Sequence, residues 1–487
     1  MSASLKDKTV SGVGWSAIDS VARYGISFVV GIILARLLSP DEYGLIGILT
    51  IFINLFGVIV DGGFTNALIR KKNANNDDYC TVFYANLAVS VMLAAILFFC
   101  AQPIASFFER PELVSLTRVM ASIVIINALA IVQKARLTKQ INFRLQTKIS
   151  IISSLASGVI GISMAYTGFG VWALVGQQIS NQLISTVLLW IYNKWLPKLI
   201  FSWSSFKDLW SFGWKLLVSG VLGSLTDDIY QAVIGKSFSP QSLGYYSRSH
   251  QFSSIFSNNI TSIVGRVSFP VLSTLQDDPE KLKEGYRRVI RVTMLPTFVL
   301  MLGLAAVAKP LILVLIGEKW LTSVYFLQII CFYAMLNPLQ ALNLNAIQVV
   351  GRSDLTLKLR IIKTIMALIP ISLGIFLNNI YYMLLGSLFT NYFAYYLNTY
   401  YSGPLLNYKI VEQIKDVLPS LGIALLMAIP VYLISYLPFS DFVLLPIQLF
   451  LGAGIVFVSC ELSKLPEYLE IKQLTLQYLS KIKKSRK

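Results

Sequence analysis

The stretch ARLLSPDEYGLIG, residues 35–47, has a counterpart at residues 235–247, GKSFSPQSLGYYS. Ser39-Pro40-x-x-x-Gly44 returns as Ser239-Pro240-x-x-x-Gly244, each time between two long apolar runs. Ser-Pro followed by glycine is a turn signal between the two runs. The apolar run before the first turn opens with VSGVGW at 10–15, and the run before the second opens with WSFGW at 210–214. Later, PIASFFERPEL from Pro103 parallels PLILVLIGEKWL from Pro310, each followed by a long apolar run that ends in a basic loop. Ser-Pro and Gly are common at helix junctions, so one match alone carries little. Several matches in the same order, at offsets of 199 to 207, point to a duplication.

Composition fixes the class. Of 487 residues, 55% are hydrophobic and 13% charged, and the mean hydropathy is +0.66. A soluble protein carries roughly 25% charged residues. Runs of about 20 apolar residues cross a bilayer core, and this chain holds many. Stretches such as LAVSVMLAAILFFCA do not alternate as barrel strands do. The chain therefore reads as an all-α polytopic membrane protein. The N-terminus, MSASLKDKTVSGVGW, lacks a cleavable signal pattern, so the first span is expected to direct insertion. The four cysteines show no metal or disulfide spacing, and His250, the single histidine, excludes a multi-histidine metal site. No cofactor is expected.

Hydropathy read against turn signals places 14 transmembrane helices near 10–37, 43–66, 79–101, 114–135, 147–167, 170–193, 210–235, 245–266, 288–308, 321–349, 358–377, 380–400, 415–437 and 440–461. PLILVLIG, from Pro310, is too short to span. With the repeat, this gives two pseudo-symmetric six-helix lobes at 1–200 and 201–405, a terminal helix pair at 406–462 and a basic cytoplasmic tail at 463–487. An even repeat is a parallel one, with its axis along the membrane normal. If the N-terminus is cytoplasmic, 32 of the 41 lysines and arginines fall on the inside and five on the outside. Both termini are then cytoplasmic. The net charge of +17 follows from basic loops lying against an anionic leaflet, and nucleic acid need not be invoked.

Several spans carry polar stripes at three- and four-residue spacing, which places them on one helical face. The first has Ser16, Asp19, Ser20, Arg23 and Ser27; the second Gly47, Thr50, Asn54, Gly57 and Asp61. The seventh has Lys215, Ser219, Ser224, Asp227, Asp228 and Gln231, and the eighth Ser247, Arg248, Gln251, Ser254, Asn258 and Ser262. Asn337, Gln340, Asn343, Asn345 and Gln348 lie on the tenth. A charge at the bilayer centre costs roughly 2.5–3.5 kcal/mol on the lenient insertion scale. The economical arrangement turns these faces toward one wet cavity, with Arg23, Lys215 and Arg248 inside it and Arg266 and Lys363 nearer its cytoplasmic end. Such cations suit a phosphate or pyrophosphate. Asp19, Asp61, Asp227 and Asp228 are the candidates for carrying a coupling ion.

Each residue has a plainer reading. Asp19 and Arg23 stand four apart and can pair within their helix. Lys215 can snorkel to the interface, and Asp227 and Asp228 can be helix-end acids. Arg118 receives no role. Tyr392, Tyr395 and Tyr396 are interfacial anchors, or else stack on sugars in the cavity. The last two spans are nearly featureless beyond Gln448 and are expected to face lipid on almost every side.

SGVGW, then ARLLSPDEYGLIGI, then DGGFTNALIRKKN, all within the first seventy-odd residues, resemble the polysaccharide-transport branch of the multidrug/oligosaccharidyl-lipid/polysaccharide exporter superfamily, and within it the Wzx- and WzxC-like flippases. The resemblance implies two six-helix lobes plus a terminal pair in the bacterial inner membrane. It also implies an undecaprenyl-pyrophosphate-linked oligosaccharide as substrate and alternating access. A cationic cavity and a proton or sodium gradient, or the membrane potential, would go with it. Arg23 matches the family's first-span arginine, and Arg70-Lys71-Lys72 matches its basic run, which ordinary topology also explains. Membrane lipid, a polysaccharide polymerase and glycosyltransferases are the implied partners. Two rivals stand beside this reading. A multidrug or cation exporter would want an acidic, aromatic cavity. A membrane polymerase or glycosyltransferase would want a large outer loop, and no outer connection exceeds about a dozen residues.

Overall fold

A computed structural model describes residues 22–23, 25–273, 275, 278–473 and 476; the side chains of Asp227, Ile263, 265–267, 269–271, Ser273 and Ser353 lie outside that description. Among the described residues every regular element is helical. Two compact units are formed, Met1–Gly244 and Tyr245–Lys487.

In the first unit α1 (Gly25–Leu37) leads into α2 (Pro40–Asp61) and α3 (Phe64–Arg70), then α4 (Asn76–Phe99), α5 (Ala101–Phe108), α6 (Leu113–Lys139), α7 (Phe143–Tyr166), α8 (Trp172–Asn193) and α9 (Trp203–Ser237). The boundary between the units falls inside α10 (Pro240–Ser273). The second unit continues with α11 (Pro279–Ala306), α12 (Ala308–Leu315), α13 (Leu321–Ala334), α14 (Asn337–Val349), α15 (Ser353–Phe376), α16 (Ile380–Leu405), α17 (Ile410–Ile434) and α18 (Asp441–Ser463). Nine spans among the described residues are long and apolar enough to cross a membrane. The helices α8, α9, α10 and α16 are as long but more polar.

The duplicated turn has a physical meaning in both copies. Ser39 caps α2, its hydroxyl accepting from the Glu42 N–H while Glu42 accepts from the Ser39 N–H at 2.6 Å. In the second copy Ser239 accepts from the Ser242 N–H at 3.0 Å. The glycine four residues after each proline allows the two helix starts to touch. A Cβ on Gly44 would lie 1.7 Å from the Pro240 carbonyl oxygen, and one on Gly244 would lie 1.9 Å from that of Pro40. The contact is reciprocal, each glycine meeting the proline of the other turn.

The other repeated pair behaves alike. The helices α5 and α12 each run for eight residues, too short to span; α5 is capped by Glu109 in the left-handed conformation, and α12 is followed two residues on by Gly317, also at positive φ.

Several boundaries differ from those read by hydropathy. The second expected span is broken at Gly62-Gly63, both at positive φ. The tenth is broken before Asn337-Pro338, because proline withholds a backbone donor and starts a new helix. The helices α9 and α11 begin well before their apolar stretches, capped by Ser202 and by Asp278 with Pro279. Hydropathy marks where a helix leaves lipid, whereas capping residues mark where it ends.

A further correction concerns α17. It packs along α11, and its first turns carry Gln413, Asp416 and Ser420, all buried. One face of the terminal pair is therefore a protein interface.

Candidate functional site

In the first unit α2, α3, α6, α8 and α9 line an open cavity of about 510 Å³. The stripe Asn54, Gly57 and Asp61 faces it from α2, joined by Asn66 of α3, Asn127 of α6 and Gln182 of α8. Gln182 donates to Asn127 Oδ1 at 3.1 Å, and Asp61 accepts from the Thr65 hydroxyl. On the far wall α9 comes close because it presents glycines. A Cβ on Gly220 would lie 2.8 Å from Val58, and one on Gly63 would lie 2.4 Å from the Gly213 carbonyl oxygen. This wall of amides, each able to donate and accept, suits a ligand rich in hydroxyls. Among the described residues lining it, Asp61 is the charged one and none is a cation.

The expected cations do not line this cavity among the described residues. Arg23 is exposed and within electrostatic reach of Lys134 on α6. Lys215 is exposed, next to the cavity-lining Leu216 and Leu217. Arg248, in the second unit, is 8% exposed and donates to Gln251. Asp228 is buried and accepts from Ser224 at 3.1 Å and from Gln231 at 3.3 Å. Asp19 and the side chains of Asp227 and Arg266 lie outside the described residues.

The basic run after α3 is a fastening. Lys71 bridges Asp78 at 3.0 Å and Asp208 at 2.9 Å, and Arg70 lies 4.4 Å over the Phe212 ring. The hydrogen bond to Asp208 holds the Lys71 ammonium above its ordinary lysine value. Lys139 caps α3 by donating to the carbonyl oxygens of Leu68 and Lys71.

Two polar clusters stand one turn apart on α14 in the second unit. Asn343 is fully buried, and its Oδ1 accepts from the Tyr286 hydroxyl (2.9 Å), the Ser402 hydroxyl (2.7 Å) and the Gln413 amide (3.3 Å). Its own amide donates to the Leu339 carbonyl oxygen. Gln340 instead accepts from the Lys363 ammonium at 3.3 Å and the Asn398 amide at 3.5 Å, and donates to Asn391 at 3.4 Å. Beyond the Asn343 hub, Asp416 takes a two-pronged bond from Arg287 (2.7 and 2.8 Å) and further bonds from Arg291 and the Tyr408 hydroxyl.

Of these groups, sequence reasoning found the α2 stripe, Gln340, Asn343 and Lys363. It missed Asn66, Asn127, Gln182 and the α17 carboxylate. The available signal for Gln182 was the run GQQISNQ, residues 176–182, whose Gln178, Asn181 and Gln182 share a face.

The polysaccharide biosynthesis protein family model matches residues 33–325. The succinoglycan biosynthesis transport protein ExoT of Rhizobium meliloti is 30% identical over 321 residues, 66% of this chain and 65% of that relative. The aligned stretch thus spans just under two thirds of ExoT. The lipopolysaccharide biosynthesis protein WzxC of Escherichia coli is 24% identical over 381 residues, 76% of each chain. Among solved structures, the lipid II flippase MurJ in an inward closed conformation superposes with a TM-score of 0.72 at 14% identity, covering 93% of this chain and 98% of MurJ. An inward-facing multidrug resistance MATE family transporter of the MOP superfamily gives 0.61 at 15% identity, covering 80% and 94%. The chain belongs to the polysaccharide biosynthesis protein family, and its fold is that of the MurJ and MATE transporters.

Proposed function

We propose that the protein is a flippase that moves a polyprenyl-diphosphate-linked oligosaccharide across the bacterial inner membrane by alternating access. The observation that carries the reading is the amide-walled cavity of the first unit, in a chain of this family. Asn54, Asn66, Asn127 and Gln182 offer paired donors and acceptors to sugar hydroxyls. The cations Arg23, Lys215, Arg248 and Arg266 would attract the diphosphate, while the polyprenyl tail stays in lipid beside α17 and α18. Asp19, Asp61, Asp227 and Asp228 are the groups through which a proton or sodium ion would couple. No bond is made or broken.

In this reading the chain crosses the membrane 14 times in two six-helix lobes and a terminal pair, with both termini cytoplasmic. The crossing of Gly44 and Gly244 then lies at the outer ends of α2 and α10, and opening outward requires those helix starts to part. Polymerase and glycosyltransferases would supply and consume the lipid-linked unit on the two faces.

A cation exporter has one observation in its favour, the lone carboxylate of Asp61 in the described cavity wall. That wall has no aromatic ring among the described residues, which such an exporter would use to stack its ligand. The test is surface polysaccharide in cells carrying Arg23→Ala or Arg248→Ala at unchanged protein level. Reduced polysaccharide supports the reading, and normal polysaccharide in both removes those cations from it. Uptake of an organic cation into proteoliposomes, without movement of lipid-linked sugar, would favour the exporter.

A further inference from the structure

Lys363 stands ten residues after the start of α15, about 15 Å along the helix axis, inside a segment apolar enough to span the membrane. Ionisable groups at such depth are rare and usually answer to a partner or a substrate. Here the ammonium donates to the neutral Oε1 of Gln340 at 3.3 Å. No carboxylate pairs with it among the described residues, and the nearby charge that acts on it, Arg360, has the same sign. Asn398, on α16, converges on the same Gln340 oxygen through its amide nitrogen, at 3.5 Å. Asn398 is fully buried, and its Oδ1 has no hydrogen-bond partner. A buried acceptor left open in a native fold calls for an explanation. The neighbouring Asn343 hub, one turn along α14, shows that this region can fill every such position when the purpose is packing.

We propose that Lys363, Gln340 and Asn398 form a binding site within the second unit for an anionic sugar. An oxyanion of the ligand would take the ammonium's free donors, and an adjacent hydroxyl would donate to Asn398 Oδ1. The site deepens the flippase reading and rests on it for the class of ligand. Two parts of a lipid-linked glycan share this chemistry: the phosphate on the first sugar, and the carboxylate of an acidic sugar further out.

The test uses the full chain in nanodiscs with three soluble probes, glucose 1-phosphate, glucuronate and glucose, followed by titration with saturation-transfer NMR. At least one acidic probe should bind about tenfold or more tightly than glucose, a difference of about 1.4 kcal/mol. Preference for glucose 1-phosphate assigns the site to the lipid-linked phosphate, and preference for glucuronate assigns it to an acidic residue of the glycan. Lys363→Gln should weaken that binding about tenfold or more. Gln340→Glu should do the same while keeping or raising the melting temperature, because the new carboxylate would occupy the ammonium. Glucose binding as tightly as both acids, no binding of either acid, or unchanged affinity in Lys363→Gln would each overturn the site. Flipping in proteoliposomes separates the two ideas. Wild type that binds an acidic probe through Lys363 but moves no lipid-linked glycan would sink the flippase reading alone. Wild type that flips without such binding would sink the site alone.

Discussion

Gln340 and Asn343 occupy the same helix three residues apart, yet they meet opposite fates. Asn343 sits at the centre of a closed set in which three donors share its oxygen and its amide is spent on a backbone carbonyl. Gln340 gathers a cation with no counter-charge among the described residues and an asparagine with an open acceptor. A buried polar group costs little when paired and much when left alone. The saturated cluster around Asn343 is a fastening, and the open acceptor beside Gln340 is where the proposed ligand would bind. The same rule separates Asp416, which four donor atoms enclose, from the cavity of the first unit.

The contrast makes predictions that differ in sign as well as size. The largest effect should come from Asn343→Leu, which strands the donors of Tyr286, Ser402 and Gln413. Each stranded donor costs about 1–3 kcal/mol, so thermal unfolding in nanodiscs should show a loss of several degrees or a failure to accumulate folded protein. Next comes Asp416→Ala, which frees Arg287 and Arg291. Both arginines are about a third exposed on their side chains, so screening limits the loss to about 1–3 kcal/mol, again read as a lower melting temperature. Gln340→Glu should move the other way, raising the melting temperature by an amount equivalent to about 0.5–1.5 kcal/mol as Lys363 gains a carboxylate. If Lys363→Gln destabilised the protein as much as Asn343→Leu, the distinction between the two clusters would be lost.

The smallest effect concerns Lys71. Its value is raised above the ordinary 10.5 by Asp208, so the bridge contributes fully below that pH and is lost only as pH rises through the raised value. Stability from this fastening should be flat over roughly pH 6 to 9. A melting temperature that falls in Lys71→Gln by the same amount across that range would agree, and a pH-dependent difference would not.

The fold was legible in the sequence wherever a local signal was written twice. Ser39-Pro40 with Gly44, and Ser239-Pro240 with Gly244, marked two repeated turns, and in the structure each glycine lies against the other turn's proline. The α2 stripe was legible for a similar reason, since Asn54, Gly57 and Asp61 share one face of a single helix. What escaped is what only packing decides. Asn127 is a lone amide in an apolar run, and it becomes part of a cavity wall because Gln182, 55 residues later, is brought against it. Lys363 was visible as a cation within a span, placed near the cytoplasmic end of a cavity, but Gln340 and Asn398 as its company were not, because three separate helices must meet before the site exists. Asp416 was overlooked for a related reason. Its helix looked like a lipid-facing span until the arginines of α11 were placed beside it.

The measurement that tests the central claim most directly is movement of a fluorescent polyprenyl-diphosphate oligosaccharide across proteoliposomes that contain this protein alone. The account predicts protein-dependent exposure of the labelled head group on the opposite leaflet, diminished by Arg23→Ala and Arg248→Ala at equal reconstitution. Movement no faster than in empty liposomes, across imposed proton and sodium gradients and a membrane potential of either sign, would contradict it.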